Sequence, residues 1–217
     1  MDDLSHLIFL AGLTSSSLLI ALLTASRFFE PVRIWPCPDH RSWQAITFWS
    51  LFRIANLSTL VTLVVSCAPG LGQSVLRVAA LAVGLACFVC YVLACLELGR
   101  KNLYGGTAGL KTQGIYRWSR NPQYATAIPG YIALAVAASS VPALSLAALL
   151  SVVFWLMAML EEAWLEAAYG PAYRRYRQRV PRFFNVRRLR AAIRRAAALA
   201  RRNGARASAR ASLRILR

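Results

Sequence analysis

Charge is scarce in this chain of 217 residues: 16% of positions are charged, where an ordinary soluble domain has about 25%. Acidic side chains are scarcer still, 8 against 26 lysines and arginines, and histidine occurs twice. His6 and His40 stand too far apart in sequence to argue for a metal site. The five cysteines are an odd number, and Cys87, Cys90 and Cys95 share one apolar run, which excludes a disulfide framework. The C-x2-C spacing of Cys87 and Cys90 has no second pair or histidine cluster after it, so these read as small packing residues. There is no G-x-G-x-x-G and no P-loop, hence no phosphate cradle. No Ser-His-Asp or Cys-His arrangement offers a nucleophile. A net charge of +18 could suggest nucleic acid. No aromatic-rich basic stripe, zinc-ligand pattern or RNP-like motif accompanies it, and the charge sits between apolar runs and in the tail.

What is present is apolar sequence, 58% of the chain. The composition is that of an all-α integral membrane protein with about five transmembrane helices. Apolar runs cover residues 4–28, 45–67, 75–98, 123–138 and 143–160, and about 20 residues suffice to cross a bilayer. Asp2 and Asp3 open the first run without a basic segment, which argues for a retained helix over a cleaved signal peptide. Pro31, Pro36 and Pro38 break the connection 29–42, and residues 68–74 read as a tight turn. Arg53 and Asn56, three apart in the second run, share a face, and an arginine so placed should face the bundle interior or snorkel. The connection 99–122 is the longest polar one and carries Gly105, Gly106 and Gly109, so its backbone can approach a ligand closely. Residues 139–142 mark a turn, with Pro142 suited to the first turn of the next helix.

The arginines and lysines set the orientation. Arg27, Arg33, Arg41, Arg100, Lys101, Lys111, Arg117, Arg120 and everything after Arg174 fall on one side of a five-span chain; Asp2, Asp3 and Arg77 fall on the other. The positive-inside rule places the C terminus in the cytoplasm and the N terminus outside, as in a bacterial inner membrane. Residues 186–200 repeat apolar positions at helical spacing between arginines. They read as an amphipathic helix drawn to anionic lipid headgroups. Three parts follow: transmembrane helices in 1–98, a polar segment with a helical hairpin in 99–184, and a basic Arg/Ala-rich tail in 185–217.

Two segments carry the chemistry. Residues 114–124 read GIYRWSRNPQY, and the answering block is Glu161-Glu162-x2-Leu165-x4-Gly170-x2-Tyr173-x2-Tyr176-x3-Val180-Pro181. A polar, aromatic cluster against membrane-length apolar runs is expensive and asks for a function. On residue types alone, a structural Arg–Glu clamp at the mouth of a hairpin explains them about as well as a site does.

The ordered pattern resembles the isoprenylcysteine carboxyl methyltransferase family, integral-membrane enzymes related to phospholipid N-methyltransferases. That family shows G-x-Y-x3-R-H-P-x-Y, a helical hairpin, and E-E-x2-L-x4-G-x2-Y-x2-Y-x3-V-P. Gly114, Tyr116, Arg120, Pro122 and Tyr124 match the first block, and the second is complete. The resemblance spans residues 98–184. It implies S-adenosyl-L-methionine as methyl donor, bound in a cytoplasm-facing pocket, and a small lipophilic acceptor (carboxylate, thiol or amine) arriving from the bilayer. It places donor contacts at Ala108, Gly109, Leu110, Lys111, Tyr116, Asn121, Pro122, Gln123, Tyr124 and Glu161, with Glu162 behind them and Arg120 and Glu161 as catalytic candidates.

Two positions depart from the family. The histidine of R-H-P is Asn121, which keeps hydrogen-bonding capacity but cannot act as a base. An arginine that faces the acceptor carboxylate in the prenylcysteine enzymes is replaced by Met157, one turn before Glu161. Met157 at this substrate-facing position argues against a prenylcysteine carboxylate unless Arg53 or Arg120 supplies the cation. Two other readings compete: a non-enzymatic membrane scaffold with a lipid-binding tail, and a sterol-reductase-like enzyme using a nicotinamide nucleotide.

Overall fold

A computed structural model describes residues 3–37, 39, 41–67, 74–106, 108–184 and 194. Helices α1 (Asp3–Ala25), α2 (Trp43–Cys67) and α3 (Val75–Leu98) are followed by one turn of helix, α4 (Arg100–Leu103). A 3-10 turn at Gly114–Arg117 precedes α5 (Pro122–Ala138) and α6 (Val141–Arg179). No strand occurs among the described residues. The expected tight turn at 68–74, apart from Ser74, and the basic amphipathic helix at 186–200, apart from Arg194, lie outside the described residues.

Four helices, α1, α2, α3 and α6, are long and apolar enough to cross a membrane. The protein is an all-α integral membrane protein. The fourth apolar run forms a helix of 17 residues, which rises only about 26 Å against a hydrocarbon core of about 30 Å. Both of its ends are pinned. Pro122 occupies its first turn, where the missing N–H costs nothing. At the far end Arg77 Nε donates to the Ala137 carbonyl at 2.7 Å and its Nη2 to the Cys67 carbonyl at 3.2 Å. One cation thus satisfies the C-terminal carbonyls of α5 and α2 together, where the helix dipoles favour it. Ser139, in the left-handed region, ends α5, and the Ser140 side chain accepts from the Ala143 N–H to start α6.

The fifth run does not stop at the Glu161-Glu162 pair. It continues as α6, with a break at Gly170 (φ 48°, ψ −122°). A side chain there would be strained, so glycine makes the turn. Pro171 then begins the last helical segment, which carries Tyr173 and Tyr176 back over the bundle end.

α6 is the most enclosed of the long helices and α3 the least. α1 packs on α2 and α6, and α5 lies against both α3 and α6. Leu19, Leu23, Phe48, Leu150, Phe154 and Met157 belong to the shared core. Between membrane helices, close van der Waals packing of small residues replaces the hydrophobic drive of water. Gly84 of α3 shows this: a Cβ there would lie 2.7 Å from Leu134 Cγ of α5 and 3.3 Å from the Leu134 backbone nitrogen. Asn56 turns inward and accepts the Tyr131 hydroxyl at 2.8 Å, whereas Arg53 is exposed.

Gly84→Leu is expected to force α3 off α5 and destabilise the protein by about 1–3 kcal/mol, with Gly84→Ala milder. Thermal unfolding of the detergent-purified protein tests this, and equal melting of wild type and Gly84→Leu would contradict the close approach.

Candidate functional site

The loop ahead of α5 is shaped by a carboxylate and a glycine. Glu97, one residue before the end of α3, accepts the Ile115 N–H at 3.1 Å. Gly114 takes φ 54°, and a Cβ there would collide with the Glu97 carboxylate. This puts Tyr116 inside. Its hydroxyl lies 3.1 Å from Gln123 Oε1 and 3.3 Å from the Ala94 carbonyl. Burial, and then the nearby Glu161 carboxylate, push the Tyr116 phenol above its ordinary pKa, so it stays a donor through the physiological range. The Tyr116 carbonyl in turn accepts the Tyr176 hydroxyl at 2.5 Å. The far end of α6 is thereby fastened to this loop.

On the other side, Asn102 of α4 anchors the glycine-rich connection. Its Oδ1 accepts the Ala108 N–H at 2.9 Å and its Nδ2 donates to the Gly109 carbonyl at 3.0 Å.

Between these walls lies a narrow cleft. Of the residues expected to form a site, Gly109, Leu110, Lys111, Tyr116, Arg120, Gln123 and Glu161 line it. Its volume is about 30 Å³, room for a single water, so any larger ligand must widen it. Gly109 and Lys111 on its rim are exposed.

The two adjacent glutamates part company here. Glu161 lines the cleft, and its Oε2 accepts the Tyr124 hydroxyl at 2.7 Å. Glu162 points away into a buried clamp. Its Oε1 accepts Asn121 Nδ2 at 2.9 Å and lies 3.4 Å from Arg120 Nη2, while its Oε2 meets Arg182 Nη2 at 3.0 Å. Asn121 is 1% exposed, and its Nδ2 also reaches the Arg182 carbonyl at 3.3 Å. Arg120 and Asn121 donate their backbone N–H groups to the Pro181 and Arg182 carbonyls. Residues 180–183 therefore form a strap against the start of α5.

Arg120 is the unusual member. Its side chain is 8% exposed, yet only Nη2 has a partner; Nε and Nη1 are buried without one. Unpaired buried donors on a charged group are costly, and Arg120 lines the cleft.

Some expected residues lie elsewhere. Ala108 is held by Asn102 at the rim, Pro122 starts α5, and Met157 is 3% exposed within the apolar core. None of the three lines the cleft. Gly106, Leu165 and Tyr176, part of the polar segments already noted, line it too, and Leu98, Asn102, Trp164 and Tyr169 line it without having been singled out. Trp164 and Leu165 were legible, since they follow Glu161 by three and four residues on the same helix face. Asn102 and Arg182 carried no local signal.

Membrane-length helices closed at one end by a polar cleft over buried ion pairs define a polytopic membrane protein with its candidate site at the bundle end. A family model described as phospholipid methyltransferase matches residues 75–172. These residues are similar to that family of integral-membrane methyltransferases, which is related to the isoprenylcysteine carboxyl methyltransferases. The match runs from the first residue of α3 to just past the Gly170 break. It leaves out α1, α2 and the strap. No curated protein and no solved structure matches the chain.

Glu162→Gln is expected to strip Arg120 of its counter-charge inside the protein, at a cost of about 3–5 kcal/mol. Arg182→Gln should cost clearly less, because that side chain is 40% exposed. Chemical unfolding of both variants in detergent measures the difference; the reverse order would show that the strap, not the buried pair, holds the clamp.

Proposed function

We propose that the cleft binds S-adenosyl-L-methionine from the cytoplasmic side, and that the protein methylates a small lipophilic acceptor, a carboxylate, thiol or amine, reaching it through the bilayer. The observation that carries this reading is the pairing of Arg120, buried with two unpartnered donors, and Glu161 across one aromatic-lined cleft. An amino-acid zwitterion attached to a nucleoside asks for this donor set: a guanidinium for its carboxylate, a carboxylate for its ammonium or ribose hydroxyls, and aromatic rings for its base.

When bound, the donor supplies a methyl carbon already activated by a sulfonium, so the chain's task is positioning and exclusion of water. Glu161 accepts hydrogen bonds and balances positive charge, and the Tyr124 hydroxyl fixes its orientation. Tyr116, held by Gln123 and the Ala94 carbonyl, braces the cleft wall. Trp164, Tyr169 and Tyr176 offer ring faces. Gly109 and Lys111 belong to the rim that must move for entry. Asn121 has no acid–base part in this scheme; its amide hydrogens are directed at Glu162 and the strap.

The basic connections support the proposed orientation. The turn after α1 and the loop after α3 meet at one end, where Gly105 packs beside Pro36 and Cys37. That end also holds Arg120 and Arg182, so the positive-inside rule assigns it to the cytoplasm. With Met157 in the apolar core, Arg120 and Lys111 are the cations lining the cleft, and the unpartnered donors of Arg120 are assigned to the methyl donor. A prenylcysteine carboxylate is therefore not the acceptor this reading favours.

Calorimetric titration with S-adenosylhomocysteine tests the donor assignment. Wild type should bind, and Glu161→Ala should weaken binding by roughly 10- to 100-fold, the loss of hydrogen bonds to a charged group. Arg120→Gln should weaken it comparably. A well-folded wild type, in lipid nanodiscs, that takes up no S-adenosylhomocysteine would remove the reading.

A further inference from the structure

A second pocket opens beside the first, on the other side of α4. Trp49, Arg53, Arg100, Lys101 and Tyr104 line it, and its volume is about 430 Å³. Three cations surround this space. Among the described residues none of them has a carboxylate or any other hydrogen-bonding partner. Like charges gathered without a counter-charge repel one another, and a site of this kind is stabilised by an anion.

Its level in the bundle says what kind of anion. Arg53 lies ten residues into α2, which in sequence looks deep in the bilayer. However, the Trp49 ring packs 4.9 Å from the Tyr104 ring, just beyond the end of α3. The first turns of α2 thus stand past the point where α3 leaves the apolar layer, and Arg53 is at headgroup height. Tryptophan and tyrosine are the side chains enriched at that height. Going inward from Arg53, Leu57, Val61 and Val64 are exposed and continue the same stripe of α2 at helical spacing. Leu96 of α3 is exposed as well. Cations at the head of an exposed apolar stripe match a phosphate at the head of acyl chains.

We propose that this pocket binds the phosphate of an anionic phospholipid, with Arg53, Arg100 and Lys101 holding the headgroup and the outer stripe of α2 receiving a chain. Three positive groups with no ion-paired carboxylate among the described residues favour a net-negative headgroup over a zwitterionic one. The guanidinium of Arg53 suits bidentate contact with phosphate oxygens. The site rests on residues outside the cleft and does not depend on the methyl-transfer reading, although the next residue after Lys101, Asn102, ties down the cleft's rim.

Native mass spectrometry of the full-length protein, released from detergent and equilibrated with dioleoylphosphatidylglycerol, dioleoylphosphatidylcholine or inorganic phosphate, tests the proposal. Wild type should retain phosphatidylglycerol in preference to phosphatidylcholine. Lys101→Gln, on an exposed turn that leaves the bundle intact, should lower that affinity about fivefold, and adding Arg53→Gln about 25-fold. Arg53→Lys should retain most of it. Lipid gathered by the arginines of the tail is common to all variants, so the ratio to wild type isolates the pocket. Unchanged phosphatidylglycerol retention in Lys101→Gln and in the double variant would overturn the proposal. So would inorganic phosphate binding that these substitutions abolish while lipid retention stays the same, since the ligand would then be a soluble phosphate.

Discussion

The bundle end depends on one buried carboxylate. Glu162 is 5% exposed, and a charge so placed is tolerable only if opposite charge and hydrogen bonds surround it. Arg120, Asn121 and Arg182 supply them. These residues come from the approach to α5 and from the strap beyond α6, so satisfying a single carboxylate joins three stretches of chain. The join sets the direction in which α5 departs, the position of the strap, and the height of Arg120 in the cleft wall. Glu161 is free to line the cleft because its neighbour carries the structural burden. A histidine at position 121 has a flat ring with at most two N–H groups pointing apart. The asparagine amide directs hydrogen at both Glu162 and the Arg182 carbonyl from one nitrogen, which accounts for its fit beside this strap.

Membrane surroundings explain where the remaining polar groups went. At the end opposite the cleft, Arg77 meets the carbonyls that α2 and α5 leave unpaired. In the helical layer, Asn56 finds Tyr131 across the α2–α5 contact. Among the described residues, Arg53, Arg100, Lys101, Arg120, Glu161, Glu162 and Arg182 gather at the cleft end, and the short α4 lies between two sites there. One pairs a guanidinium with a carboxylate in a tight cleft. The other, broad and open, has cations alone. The contrast is chemical: the first suits a ligand carrying both signs of charge, the second an anion.

Much of the fold could be read from the chain. Apolar runs, punctuated by Pro31, the Ser139–Pro142 turn and the glycines after α3, delimit helices because a backbone in lipid must satisfy its own hydrogen bonds, which leaves helix as the simplest solution. The two polar blocks are legible as a pair because one precedes and the other ends a run of the apolar hairpin. The short α5, read at 123–138, spans Pro122–Ala138; what the chain does not show is how its ends are held, since Asn121 and Arg77 act through contacts with distant residues.

Within the site, sequence determined which residue types were available and roughly where: a guanidinium before α5, two adjacent carboxylates on α6, and tyrosines after them. Residue types alone could not decide between Glu161 and Glu162; only the family resemblance put Glu161 among the contacts and Glu162 behind them. The two are identical in chemistry and about 100° apart around the helix, and only the packing of α6 against α5 turns one to the cleft and the other to the clamp. Arg53 makes the same point. Its place in an apolar run suggested depth, and the offset between α2 and α3 brings it to the surface. Arg182 and Asn102 join the site through partners dozens of residues away or through a loop's path, and no local pattern encodes such encounters. Hydrophobic spacing and turn chemistry are local and so determined the helices; the meeting of charges depends on how those helices are stacked, and the tertiary structure alone decided it.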